Sequence, residues 1–242
     1  MKYVDLDKLP GGNIVAAPAE DVDASEENAA VFAGLITGSG GAVSAVVNVA
    51  AAYGRALTQA VAAPFSLTLS GKADVFAGGT ANVLAQSFNQ SAGAITAAVI
   101  VNTAYSQSEF AAILDIPAGS SVTAGNVSVA TDYTASAVAA LAPSAGGADL
   151  SGAALQVNVG VANADSRGTA AVTGAGLLTA GALSVTGQGV ATSRAYSVTP
   201  VASLTAVKIA ANVLVALLDA ENLAYIQGVE VENAAITVNA RL

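Results

Sequence analysis

Carboxylates are the only abundant side chains here that could carry acid–base or metal chemistry: the 242 residues include 17 Asp and Glu but no His and no Cys. Without histidine the chain lacks the side chain most used for proton transfer near neutrality and the commonest metal ligand. Without cysteine it lacks thiolate nucleophiles, thiolate metal sites and disulfides. Hydrolysis by paired carboxylates needs two acids held ~5–9.5 Å apart across one groove. Asp74, Asp115, Asp132, Asp149 and Asp165 are instead spread one to a turn region, as solvated turn residues are. Asp21, Asp23, Glu26 and Glu27 crowd enough oxygens for a weak Ca²⁺ site, but the simpler reading is an exposed acidic turn. The glycine–aspartate nonapeptide of Ca²⁺-binding β-rolls is missing, since Gly146-Gly147-Ala148-Asp149 lacks its flanks. The sequence therefore predicts a non-enzymatic protein with no catalytic residue, no metal and no cofactor.

Composition narrows the remaining classes. Eight Lys and Arg, scattered singly in a chain of net charge −9, give no basic stripe for phosphates, so nucleic acid is excluded as an expected partner. No apolar run reaches the ~18–20 residues a membrane-spanning helix needs, and six Tyr and five Phe spread evenly form no aromatic girdle of a membrane barrel. Met1-Lys2-Tyr3-Val4-Asp5 opens no signal peptide. Apolar residues make up 54% of the chain, ample for a core, yet they are mostly alanine and valine. Such a core is thin, with backbones brought close together.

The elements that must position these residues repeat. Asparagines set in apolar runs recur at Asn48, Asn102, Asn158 and Asn212, spaced by 54, 56 and 54 positions. A second landmark follows about 25 residues later at Asn126-Val127-Ser128-Val129, Ala182-Leu183-Ser184-Val185 and Ala235-Ile236-Thr237-Val238. In the first repeat its best match, Asn82-Val83-Leu84-Ala85, comes late, which predicts an insertion near Ala63 to Lys72. Tyr3-Val4 before Asn13-Ile14-Val15 matches Tyr225-Ile226 before Ala235-Ile236-Thr237, so the sequence reads as about four repeats of ~55 residues cut from a longer array.

Alternation by twos makes the repeats strands. One face holds Val43, Ala45, Val47 and Val49; Ala97, Val99 and Val101; Leu155, Val157 and Val159; then Val207, Ile209, Ala211 and Val213. The other holds Ser44 and Asn48, Thr96 and Asn102, Gln156 and Asn158, Lys208 and Asn212. Asp165–Gly168, Asp219–Asn222, Pro117–Ser120 and Pro143–Gly147 carry turn chemistry. Asp23-Ala24-Ser25-Glu26 could cap a helix and Val207 to Leu223 could form one, but their place in the repeat makes both strand. Equivalent strands stacked coil on coil give an all-β parallel β-solenoid, a single domain over 1–242, with the four asparagines stacked in register. The tyrosines at 3, 53, 105, 133, 196 and 225 would make an adhesive patch only if several shared one exposed strip; Tyr3 and Tyr225 read as equivalent packing residues.

Ala211-Asn212-Val213, then Leu223-Ala224-Tyr225-Ile226-Gln227-Gly228, then Ala235-Ile236-Thr237-Val238 resembles the repeat arrays of bacterial filamentous adhesins, the leukotoxin-type adhesins and autotransporter-passenger or haemagglutinin-like β-helices. The likeness extends more loosely to Ala153–Val159 with Ala182–Thr186, while the acidic stretch from Glu20 to Glu27 has no counterpart. The resemblance implies a right-handed β-helix displayed extracellularly or on the cell surface, acting as an adhesive or structural rod, with a host or cell-surface glycan or protein as partner. Uncapped parallel edges add self-association end to end; a carbohydrate-active β-helix is the enzymatic alternative. Similarity to ice-binding solenoids would require Thr-x-Thr ladders, and there are none.

Overall fold

The computed structural model describes residues 14–141, 150–197 and 207–242, which form strands and turns with no helix among them. Eight strands follow in order: β1 (Ile14–Ala62), β2 (Ser66–Ile116), β3 (Ser121–Leu141), β4 (Leu150–Gly174), β5 (Leu177–Ser197), β6 (Val207–Gln227), β7 (Glu230–Glu232) and β8 (Ala235–Arg241). Every pairing is parallel and joins a strand to its equivalent one coil later. The fold is a parallel β-solenoid. The first half of β2 pairs with β3, β3 with β5, and β5 with β7 and β8, which builds one wall. The second half of β2 pairs with β4 and β4 with β6, which builds the other. Both segments for which a helix was weighed lie in strands, β1 and β6.

The coils are wide rather than tall. At ~3.3 Å per residue β4 alone extends about 80 Å, whereas four coils ~4.8 Å apart rise only about 19 Å. The coils turn where the sequence supplies proline and glycine. After β2, Ser120 N–H donates to Pro117 O at 3.0 Å with Gly119 at φ 80°. The turns also stack: Ala175 and Gly176 N–H both donate to Ile116 O, and Leu177 N–H donates to Ser120 O.

Three expectations change. The first repeat has no long insertion, because Lys72-Ala73-Asp74-Val75 pairs residue for residue with Asn126-Val127-Ser128-Val129 and the stretch before it carries only one extra residue, a register shift between Thr68 and Lys72. Only the inward positions, Ala73 and Val75, are constrained by packing, so the outward Lys72 and Asp74 hid the motif. The asparagines do not form a ladder of four. Asn48 pairs with Ile100, Asn102 lies between Ala50 and Gly160, and only Asn158 pairs with Asn212. The pairs Val43–Ile95, Ile95–Ala153 and Ala153–Val207 set offsets of 52, 58 and 54, two residues away from equal asparagine spacing in the first two steps. Finally, Asp165–Gly168 and Asp219–Asn222 are mid-strand in β4 and β6, where hydrogen bonds to neighbouring coils override local turn preference. Pro117–Ser120 is a turn as expected, and Pro143–Gly147 lies outside the described residues.

The interior changes character along the coil. Near the proline turn it is a branched aliphatic core, including Leu67, Leu114, Ile116, Val122, Leu178 and Leu183. Farther along, Ala52, Ala85, Ala104, Ala137, Ala139, Ala162 and Ala164 line a thin seam. Between them Phe110 and Tyr133 stack with ring centroids 5.0 Å apart. The glycines answer these rings: Tyr133 lies in register between Gly79 and Gly189, and Phe110 pairs with Gly168.

Across the alanine seam the inward asparagines act as bridges. Asn102 accepts from Ser87 Oγ at 2.5 Å and donates Nδ2–H to Ala140 O at 2.7 Å, tying one wall to the other. Asn158 donates to Asn212 Oδ1 at 2.7 Å along the stack. Asn102→Ala leaves a buried carbonyl and a buried hydroxyl without these partners, a loss of about 1–3 kcal/mol. Thermal unfolding should show a lower Tm for Asn102→Ala and a much smaller change for Asn212→Ala, whose side chain is exposed.

Candidate interaction surface

The two outer faces of the solenoid differ in chemistry. On the wall built from β2, β3 and β5, most outward rows are polar: Asp74, Ser128 and Ser184 are successive partners, as are Thr80, Thr134 and Val190, and Asn82, Ser136 and Thr192, with part-buried Phe76, Leu84 and Val138 between them. These rows bond to one another, with Ser136 Oγ donating to Asn82 Oδ1 at 2.5 Å, and Lys72 pairs with Asp74.

The opposite wall turns aliphatic residues outward. Asn48 is fully buried while its neighbours Val47 and Val49 are 72% and 59% exposed. Alternation then places an apolar lattice on β1, β2, β4 and β6. Its successive partners are Val43, Ile95, Ala153 and Val207; Ala45, Ala97, Leu155 and Ile209; Val47, Val99, Val157 and Ala211; Val49, Val101, Val159 and Val213; Ala51, Thr103, Val161 and Val215. Tyr53, Tyr105, Asn163 and Leu217 close it, the two tyrosine rings lying 6.3 Å apart. The face covers about 600 Å², from ten residue steps of ~3.3 Å across four strands ~4.8 Å apart. That matches or exceeds the largest apolar patch on a typical soluble monomer, ~300–600 Å².

A charged border follows at once. The next two rows are Arg55, Gln107, Asp165 and Asp219, then Leu57, Glu109, Arg167 and Glu221. Arg55, Leu57, Gln107, Glu109, Asp165 and Arg167 of these rows line a shallow depression of about 130 Å³. Its one ion pair among the described residues, exposed Arg167 with half-buried Asp165 at 3.8 Å, contributes at most ~1 kcal/mol.

The acids singled out from sequence do not converge. Asp74 and Asp132 are on the polar wall; Asp115 and Asp165 are on the other, where Thr173 Oγ1 donates to Asp115 at 3.0 Å. All four are in strands rather than turns, and Asp149 lies outside the described residues. Among the described residues no three acidic side chains are grouped closely enough to hold a metal ion. Asp21, Asp23, Glu26 and Glu27 fall within β1. The tyrosines divide: Tyr53 and Tyr105 share the apolar face, Tyr133 is buried, Tyr196 and Tyr225 are partly exposed, and Tyr3 lies outside the described residues. Compared with protein-family models, curated proteins and solved structures, the chain matches none. No helix among the described residues is long and apolar enough to cross a membrane.

The sequence separates the two faces of each strand in this wall but not which one looks outward. A tally of hydrophobicity would bury the valines. The deciding signal is size: an interior whose opposite wall supplies Ala85, Ala137 and Ala139 accepts asparagine, serine and alanine opposite them and leaves the branched residues to the outer surface.

Proposed function

We propose that this chain is a non-enzymatic, structural or adhesive segment of a filamentous protein displayed on a bacterial surface or secreted, engaging a glycan or protein partner outside the cell. The observation that supports this reading is the coil-on-coil register, in which each coil is a template for the next over a broad wall. Function in such an array lies in extension and in the faces, not in a cleft.

The coil of β6, β7 and β8 favours a second reading, a self-assembling filament subunit. Leu214, Leu218, Ile236 and Val238 occupy positions that are inward in earlier coils and are 42–55% exposed here, beside parallel edge strands able to pair with a further coil. Surface display is tested by antibody against the folded chain. Labelling of intact cells of the encoding organism is the expected result; labelling only after permeabilisation would overturn the reading. Fibres that lengthen with concentration in electron micrographs would select the filament subunit.

A further inference from the structure

The structure assigns the apolar lattice of β1, β2, β4 and β6 as an interface between two copies of this chain, packed sheet on sheet with their strands parallel and their coils stacked in opposite order. The inference is independent of surface display. It rests first on area. Two such faces together cover about 1,200 Å², the lower bound of specific, stable interfaces. It rests also on shape. The centre of the lattice is Val47, Val49, Val99, Val101, Val157 and Val159, short β-branched residues with restricted rotamers on a wall that shows no protruding loop among the described residues. Two walls of this kind pack ~10 Å apart, and the same patch serves both partners, as an isologous interface requires.

Charge selects the second copy and its orientation. The border rows carry Glu109, Asp165, Asp219 and Glu221 against Arg55 and Arg167. With a two-fold axis along the strands, the coil order of the partner is reversed, so Arg55 of one copy meets Asp219 of the other, Glu109 meets Arg167 and Gln107 meets Asp165. In that arrangement valine also meets valine at the centre, and the small Ala45 and Ala97 of one copy meet the larger Ile209 and Leu155 of the other; a two-fold axis along the solenoid would instead carry each charged border past its partner's edge without an opposite charge. An anionic lipid surface is disfavoured by the same border and by the net charge of −9. Polar rows separate Phe76 from Leu84 and Val138 on the other wall, which among the described residues shows no equivalent continuous apolar face.

Sedimentation of the full chain over a concentration series should show a reversible step from 23.3 kDa to twice that mass, stopping there. The double variant Val47→Glu, Val157→Glu should raise the dimer Kd at least 100-fold while keeping the strand circular dichroism of the parent. Thr134→Glu, on the polar wall, should dimerise as the parent does. A mixture of Val49→Cys and Val213→Cys chains should be joined into a heterodimer by a short bis-maleimide that spans ~10 Å, with little crosslinked homodimer of either, because the register sets these two positions opposite each other across the interface. A parent that stays monomeric, a polymer that grows past two copies, pelleting of monomer with phosphatidylcholine vesicles, or equal dimerisation by the Val47, Val157 double variant would each overturn the assignment.

Discussion

Replacing Gly174 with alanine is expected to cost on the order of 4 kcal/mol, at the exceptional end for a single substitution, and to abolish cooperative folding. Gly174 ends β4 with φ 115°, and a Cβ built on it would lie 2.0 Å from Ile116 O and 2.6 Å from the Ile116 carbonyl carbon of the coil before. Both obstacles are backbone. Ile116 O cannot retreat without losing the hydrogen bonds from Ala175 and Gly176 that carry the turn to the next coil. Gly119 supplies the comparison: it has φ 80° but nothing within 4 Å of its hypothetical Cβ. Gly119→Ala should therefore cost only the left-handed conformational term, about 1–2 kcal/mol. Urea unfolding of the two variants side by side separates strain from collision. Equal midpoints would mean that the turns do not stack as described.

Removing the Tyr133 ring should have the next largest effect, about 3–5 kcal/mol for Tyr133→Ala, because the ring is 1% exposed and stacked on Phe110. The glycines around it make the prediction sharper. A Cβ at Gly189 would lie 2.4 Å from Tyr133 Cζ, and one at Gly168 would lie 2.5 Å from Tyr133 Cε1. Gly189→Ala in the parent should thus destabilise by about 1–3 kcal/mol through overpacking. In the Tyr133→Ala background it should cost little or even stabilise, a coupling that a double-mutant cycle measures.

Burial also holds the Tyr133 hydroxyl above the ordinary phenol range, with the Ser166 hydroxyl pulling weakly the other way. The folded state therefore prefers the neutral phenol. The stability linked to it is whole below the unfolded pKa of ~10 and is lost as pH rises through the folded value. Tyr133→Phe should flatten this alkaline loss while giving up about 0.5–1.5 kcal/mol at neutral pH with the 3.3 Å bond to Glu221 O. An unchanged alkaline limb in Tyr133→Phe would show that another group controls it.

Much of this architecture was legible in the residues. Alternation by twos placed strands at Val43–Val49, Thr96–Asn102, Leu155–Val159 and Val207–Val213, and the ~55-residue period stacked them. Register was less legible, since it is set by which side chains fit above one another across the seam rather than by identity. Asn102 bridges to Ala140 O beneath Gly160 instead of stacking on Asn158, and no count of intervals shows that. The apparent turns at Asp165 and Asp219 misled because their acids belong to an outward border within a strand. The apolar face was visible as a set of residues; its exposure followed only from the narrow alanine interior opposite.

Parallel, in-register stacking of successive coils is tested most directly by placing two thiols one coil apart on a chain that has none of its own. Thr134 and Val190 are exposed ladder partners on the polar wall. Thr134→Cys with Val190→Cys, both labelled with pyrene, should give strong excimer emission. Thr134→Cys with Arg194→Cys, four residues or ~13 Å farther along the same strand, should give markedly less. The reverse ranking, or no excimer from the first pair in a folded protein, would contradict the solenoid register and with it the lattice on the opposite wall.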